Sequence, residues 1–187
     1  MKMLQQRPLL RRTAAALLAS LGGLTAIPAG AADNATASAT AVVLIPIAVS
    51  KFADMVFGNL VAGNDDVTIS TSGARTKSGT TGLPSGGSAP AAARFDVTGS
   101  GAATFSIDYT GSDSVLTSGS DTMAIAWISE AVATSGGATG KTTTTTDATG
   151  TLSSGAAYIF VGAKLTVGST QPAGTYTGSV KVTVAYN

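Results

Sequence analysis

The chain has 187 residues, with 11 basic and 10 acidic side chains, no cysteine and no histidine. It therefore lacks the thiol nucleophile, the commonest general base and the preferred transition-metal ligands. We expect no catalytic, cofactor-binding or metal-binding residues, and no cofactor. No basic patch is present to neutralise phosphates, so nucleic acid is not an expected partner. The composition favours a non-enzymatic protein.

The first 31 residues have the three parts of a secretory signal peptide. Basic residues up to position 12 precede an apolar run over residues 13–27, and Ala29 and Ala31 supply a small-residue cleavage site. The run is shorter than the ~20 residues needed to span a bilayer. We therefore predict cleavage after Ala31 and no stable membrane span in the mature chain. The protein should be exported, passing through the periplasm to an extracellular or cell-surface location.

Short alternating runs separated by Gly, Ser, Asn and Asp fill the rest of the chain and predict antiparallel strands. We expect residues 32–41 to form an N-terminal extension or part of a first strand, and residues 42–187 to form one sandwich domain. Residues 72–90 and 134–150 are predicted loops, rich in Gly, Ser and Thr. The predicted strands, in chain order, are 35–49, 55–60, 67–71, 94–98, 103–109, 114–117, 122–132, 157–167 and 175–186.

The last predicted strand has the clearest alternation. Successive side chains of a strand point to opposite faces, so residues of one parity share a face. One parity is mostly apolar, while the other includes Thr177, Lys181 and Thr183. We predict that the apolar parity faces the core, as an assembly or core strand, and that this strand pairs along much of its length. Its members are Tyr176, Val180, Val182, Val184 and Tyr186.

At these residues the chain resembles a known group of proteins. Gly174, the alternating apolar residues and the penultimate Tyr186 are similar to the terminal strand of chaperone–usher pilus subunits. The whole predicted mature chain also resembles a bacterial secreted family known as domain of unknown function 4402, related to pilins of the spore coat U or archaic type. The matching pieces are ATAVV at 39–43, FGNLVAG at 57–63, FDVTG at 95–99 and AGTYTG at 173–178.

The resemblance implies an immunoglobulin-like sandwich, with the possibility that one strand is missing as in pilins. In pilins a periplasmic chaperone first fills the gap, and the N-terminal extension of the next subunit then replaces it. Like subunits, a chaperone and an usher are the partners that this implies. The possible donor strand has the right alternation, with one parity formed by Ala35, Ala37, Ala39, Ala41, Val43 and Ile45. The alternative is that residues 35–49 are the first strand of a complete sandwich.

Two functions follow as expectations. The first is a structural subunit of a fimbria or another cell-surface assembly. The second is a secreted monomeric binding module that recognises surface glycan or protein through its Gly/Ser/Thr-rich loops. Trp127 is expected in the core, with stacking on sugar as the alternative. Asp65 and Asp66 are expected to cap a turn rather than to bind calcium.

Overall fold

The computed structural model describes residues 33–187, so the predicted signal peptide and its cleavage site lie outside the described residues. The chain divides into two units, Met1–Ala41 and Val42–Asn187, and every strand belongs to the second. Of the first unit, residues 33–41 are described, and they are exposed without regular structure. The strands are β1 (Ala48–Ala53), β2 (Asp65–Ile69), β3 (Arg75–Lys77), β4 (Ala93–Thr98), β5 (Thr104–Asp108), β6 (Val115–Ser118), β7 (Asp121–Val132), β8 (Thr149–Thr151), β9 (Ala156–Val167) and β10 (Thr183–Tyr186).

The strands form two open antiparallel sheets, which confirms the predicted all-β sandwich class. In the larger sheet β9 is central: β7 pairs along one of its edges, while β4 and β2 pair one after the other along the opposite edge. Strands β1, β3 and β6 extend this sheet from β4, β2 and β7. The smaller sheet has the order β10-β5-β8. No helix among residues 33–187 is long and apolar enough to cross a membrane.

The core consists of two clusters of buried apolar side chains. Both include side chains of β9, in which every second residue points inward. The first cluster lies between β4 and β9 of the larger sheet and β5 of the smaller one, and includes Phe95, Phe105 and Ile159. The second lies on β2, β6, β7 and β9, and includes Leu116, Met123 and Leu165. No strand of the smaller sheet contributes to the second cluster. That half of the sandwich is therefore covered by less regular segments.

Several predicted strands differ from those observed. The predicted strand 35–49 is extended and largely exposed, and regular pairing begins only at Ala48. Residues 55–60 make one isolated bridge, between Val56 and Ala91, instead of a strand. Of residues 175–186 only the last part is regular strand, as β10. Conversely, β3 and β8 are three-residue strands inside predicted loops, where a neighbouring strand rather than local patterning stabilises them.

Candidate functional site

An open groove of about 1010 Å³ lies over the second core cluster. Its first wall is formed by residues 53–62, which follow β1, and its second wall by residues 171–180, which precede β10. The floor is apolar and is formed by side chains that the smaller sheet leaves uncovered. These floor residues are Phe95, Leu116, Met123, Trp127, Leu165 and Val167.

Each wall is fastened on its outer side and unpaired on the side that faces the groove. The first wall exchanges backbone hydrogen bonds of 2.9 Å between Val56 and Ala91. The second wall exchanges bonds of the same length between Thr117 and Thr177. Among the described residues, no backbone hydrogen bond joins one wall to the other. The groove is therefore bordered by two free backbone edges as well as floored by apolar side chains.

The first wall owes its shape to Arg75 and Gly58. The Arg75 Nη1 donates to the carbonyl oxygens of Phe57 and Asn59, at 2.8 and 3.0 Å. Gly58 has φ of +74°, and an added Cβ would lie 2.8 Å from Arg75 Nη1. Only glycine meets both requirements without strain. The sequence pattern predicted apolar residues here but not their role as a wall, because Arg75 binds them from a distant strand.

The second wall is held by side-chain hydrogen bonds. The Tyr176 hydroxyl donates to the carbonyl of Pro172 at 2.9 Å and accepts from Gln171 Nε2 at 2.7 Å. The Asp113 carboxylate accepts from the backbone N–H of Ser179 at 2.6 Å and from its hydroxyl at 2.9 Å. These contacts fix the shape of the wall, which bends at residues 173–174, although it belongs to no regular strand.

A set of contacts that we call the clamp joins Ile45, Ser100 and Tyr186, none of which lines the groove. The Tyr186 hydroxyl donates to the Ile45 carbonyl and accepts from the Ser100 N–H, each at 2.7 Å. The Ile45 N–H donates to Ser100 Oγ at 2.6 Å. Gly99 allows this approach, because a Cβ there would overlap the Tyr186 hydroxyl.

The five residues of the predicted core strand share one side of the C-terminal segment. All are partly buried, and the residues between them are exposed. Val180, Val182, Val184 and Tyr186 pack against the first core cluster, and Tyr176 packs against the second. None is fully buried, because the segment lies at the edge of the smaller sheet beside the groove.

The residues of the possible donor strand are all exposed. Ala35, Ala37, Ala39 and Ala41 belong to the exposed stretch before the sandwich. Val42 and Val43 are 80% and 95% exposed, and Ile45 is 64% exposed although its backbone is held in the clamp. Within the sandwich unit, Val42, Val43 and Ile45 are not among the residues that line the groove. An exposed segment with apolar side chains and a groove with an apolar floor thus occur in the same chain.

Trp127 and the acidic residues have mainly structural contacts. Trp127 is partly buried against both clusters, and its Nε1 donates to the Asp113 carbonyl at 2.8 Å. Asp65 accepts from the Thr81 N–H, whereas Asp66 accepts from Thr166 and Lys164. The bond from Thr166 Oγ1, and then that from Lys164 Nζ, lower the pKa of Asp66. Within residues 33–187 no three acidic side chains are placed to hold a metal ion together.

The comparisons with known proteins agree with the predicted family. A family model described as Domain of unknown function (DUF4402) matches residues 47–186. Since this match covers most of the chain, the protein belongs to the DUF4402 family. No curated protein and no solved structure matched the chain. The function must therefore be argued from the groove and from the segment that precedes it.

Proposed function

We propose that this DUF4402 protein is an exported, non-enzymatic structural subunit of a fimbria or related cell-surface assembly. Each subunit accepts a donor segment, residues 35–44 of another copy, into its groove. The observation that carries the proposal is the coexistence of two incomplete features in one chain. The groove has an apolar floor between two wall segments that are not paired with each other, and the donor segment exposes apolar side chains such as Val42 and Val43.

The groove has the properties that favour an added strand. An extended peptide that enters such a space forms backbone hydrogen bonds with the free edges and covers the apolar floor with alternate side chains. Each wall and the donor segment contain a comparable number of residues, about ten each. A small-molecule ligand would leave the backbone groups of both edges unpaired.

The alternation of the donor segment suits a floor that is already bulky. With one parity inward, Ala35, Ala37, Ala39, Ala41 and Val43 would lie against the floor, which already contains Phe95, Met123 and Trp127. Small side chains avoid the overpacking that larger ones would cause there. Thr36, Ser38 and Thr40 would then face outward. The small donor residues bury little area each, so the backbone bonds to the two edges supply much of the stabilisation.

The same groove gives a reason why the exported subunit would need a chaperone. Exposed apolar side chains on the donor segment and unpaired wall segments would make a subunit prone to aggregation before assembly. A periplasmic chaperone that occupies the groove until assembly would protect it, and an usher would coordinate the exchange. The signal peptide predicted at residues 1–31 is consistent with this route. A chaperone and an usher encoded beside this chain's gene would support the proposal.

The direct test removes the donor segment and supplies it again as a peptide. The exported chain lacking residues 35–44 is expected to remain monomeric, whereas the full chain forms assemblies. Adding a peptide of residues 35–44 should raise the melting temperature of the shortened chain, because a ligand at one hundred times its Kd stabilises by about 2.7 kcal/mol.

The matched controls change one residue on each side of the peptide, the side expected to face the floor and the side expected to face solvent. A peptide with Ala39→Asp would place a carboxylate against the apolar floor and should not stabilise the protein. A peptide with Thr40→Asp would place it outside and should act nearly as the original does. If none of the peptides raises the melting temperature and the full chain is monomeric, the monomeric binding module becomes the favoured function.

A further inference from the structure

We infer that residues 139–147 form a strap that covers a free edge of β7 and prevents this edge from pairing with the same edge of a second copy. Over residues 125–132, β7 pairs with β9 along one edge, and no strand among the described residues pairs with the other. An uncovered strand edge is a template for pairing with another chain. No residue of the strap lines the groove, so this inference goes beyond the proposed function and does not rest on it.

Three backbone groups on this edge of β7 are paired with the strap instead of with a strand. The Ser129 N–H donates to the carbonyl of Thr145 at 3.0 Å. The Ser129 carbonyl accepts from Lys141 Nζ, and the Ala131 N–H donates to Asp147 Oδ2, each at 3.0 Å. Backbone N–H and C=O groups require partners wherever water is excluded, so the strap takes the place of a neighbouring strand.

An ion pair between Lys141 and Asp147 fastens the strap. Lys141 Nζ donates to Asp147 Oδ1 at 2.8 Å, and both side chains are partly buried. The Asp147 N–H also donates to the hydroxyl of Ser129 at 2.8 Å. Lys141 Nζ thus replaces the N–H of a strand, and the Asp147 carboxylate replaces a strand carbonyl. Two of the three edge contacts therefore depend on side chains, which substitution can remove without altering the backbone.

The strap does not create a second extended edge of its own. Residues 142–146 are exposed and belong to no strand. Within them the Thr145 N–H donates to the carbonyl of Thr143 at 2.7 Å, which turns the backbone. The start of the strap is held to the sheet by the Thr139 N–H, which donates to the Glu130 carboxylate at 3.0 Å. The strap therefore covers the β7 edge without offering another strand a replacement for it.

The strand that fits an uncovered β7 edge is β7 of a second copy. Two identical edges can pair antiparallel about a two-fold axis, because such a contact is self-complementary. The covered groups belong to Ser129 and Ala131, which are two positions apart, as the repeat of an antiparallel ladder requires. Each copy would supply both the donors and the acceptors that the other copy needs.

The test opens the strap in the full-length exported chain with the double substitution Lys141→Met and Asp147→Ala. Because the chain has no cysteine, Thr134→Cys can carry a single spin label, and Thr134 is exposed just after β7. A pair of β7 strands centred near residue 130 would place the two labels roughly 30 Å apart. Electron spin resonance should detect this distance in the opened chain, in a fraction that grows with concentration. The labelled chain with an intact strap should not show it.

Two matched variants separate the loss of edge cover from the loss of an ion pair. Lys164→Met with Asp66→Ala removes a similar pair, at 3.0 Å, from strands that both have neighbours. This variant should give no new distance. Asp147→Asn keeps a side-chain oxygen that can accept from the Ala131 N–H, so it should behave nearly as the unaltered chain does.

Hydrogen exchange of single amides tests the cover itself. In Asp147→Ala at low concentration, the Ala131 N–H should exchange about five-fold faster than in the unaltered chain, the effect of losing one net hydrogen bond. Unchanged exchange would show that Asp147 does not protect the edge.

A folded opened chain without the new distance would overturn the inference, and so would the same distance in the Lys164 and Asp66 variant. If the double substitution prevents folding, the label in Asp147→Ala alone decides by the same criterion. None of these outcomes bears on the peptide test of the groove, so the two proposals can fail separately.

Discussion

Glu130 is the most buried acidic residue in the described part of the chain, at 8% exposure. Hydrogen-bond donors from two loops stabilise its carboxylate. Its carboxylate accepts from Thr71 Oγ1 at 2.7 Å and from the N–H of Thr139 at 3.0 Å. The same Thr71 hydroxyl accepts from the N–H of Lys141 at 2.8 Å. A single threonine therefore joins two loops to a buried charge.

Thr71→Val should remove both of these hydrogen bonds while nearly preserving the side-chain volume. Leaving a buried charged group short of a donor is expected to lower the free energy of unfolding by about 1–3 kcal/mol. Urea denaturation would show a lower midpoint with an unchanged slope. Thr183→Val, at an exposed position of β10, should shift the midpoint little, and equal shifts for both variants would contradict the interpretation.

Tyr109 makes stability sensitive to alkaline pH. Burial raises the pKa of Tyr109 to about 12 from its ordinary 10, against the opposing effect of its hydrogen bond to Ser129. The folded state therefore retains a proton that the unfolded chain releases between those values. Stability is fully present below pH 10 and is lost as the pH rises toward 12.

Tyr109→Phe should flatten this alkaline loss, since phenylalanine has no proton to release. The measurement is the free energy of unfolding from denaturant titrations between pH 9 and pH 12, compared with the unaltered protein. Tyr158→Phe is the control. A loss of stability as steep in Tyr109→Phe as in the unaltered chain would assign the pH dependence to other groups.

At the scale of elements, the C-terminal segment has two different faces. Val182→Asp would place a carboxylate against the first core cluster, whereas Thr183→Asp would place it in solvent. Because Val182 is only partly buried, we expect the first change to lower the free energy of unfolding by roughly 2 kcal/mol and the second by much less. Denaturant midpoints of the two variants test this, and equal losses would show that the segment does not separate a core face from a solvent face.

The elements that sequence patterns predicted best are those whose alternation is imposed by burial on one face. The prediction for residues 122–132 differs from β7 by one residue, and that for residues 157–167 differs from β9 by one residue. Both strands have long apolar rows against the core. The patterning of β3 and β8 is uninformative, because three residues contain at most two inward positions.

The groove was not predictable from local patterns. Residues 35–49 have the alternation of a strand, yet regular pairing begins only at Ala48, so most of them form no regular structure. The walls come from segments more than a hundred positions apart and depend on distant partners such as Arg75 and Asp113. The sequence pattern predicted which side chains of residues 176–186 share the apolar side of the segment. It could not predict that this segment lies beside the groove, because that depends on the small number of strands in the second sheet.

For the whole molecule we expect no dependence on bound metal. The carboxylates of Asp65 and Asp66, the nearest candidates in sequence for a calcium site, have separate partners, and Asp66 is paired with Lys164 at 3.0 Å. EDTA should leave the melting temperature unchanged, and added calcium should not raise it. A fall of several degrees on chelation would contradict this and would direct attention to residues 64–66.

The central position of β9 has a consequence for the order in which the molecule can fold. β9 organises both clusters but lies late in the chain, and contacts such as that of Asp66 with Lys164 join residues 98 positions apart. Pairings over such separations form slowly, because long loops must close first. In a chain that becomes available from its N-terminus, β2 and β4 can pair early with β3 and β1, but they lack their shared central partner until β9 follows. The topology itself therefore postpones completion of the larger sheet until most of the chain is available.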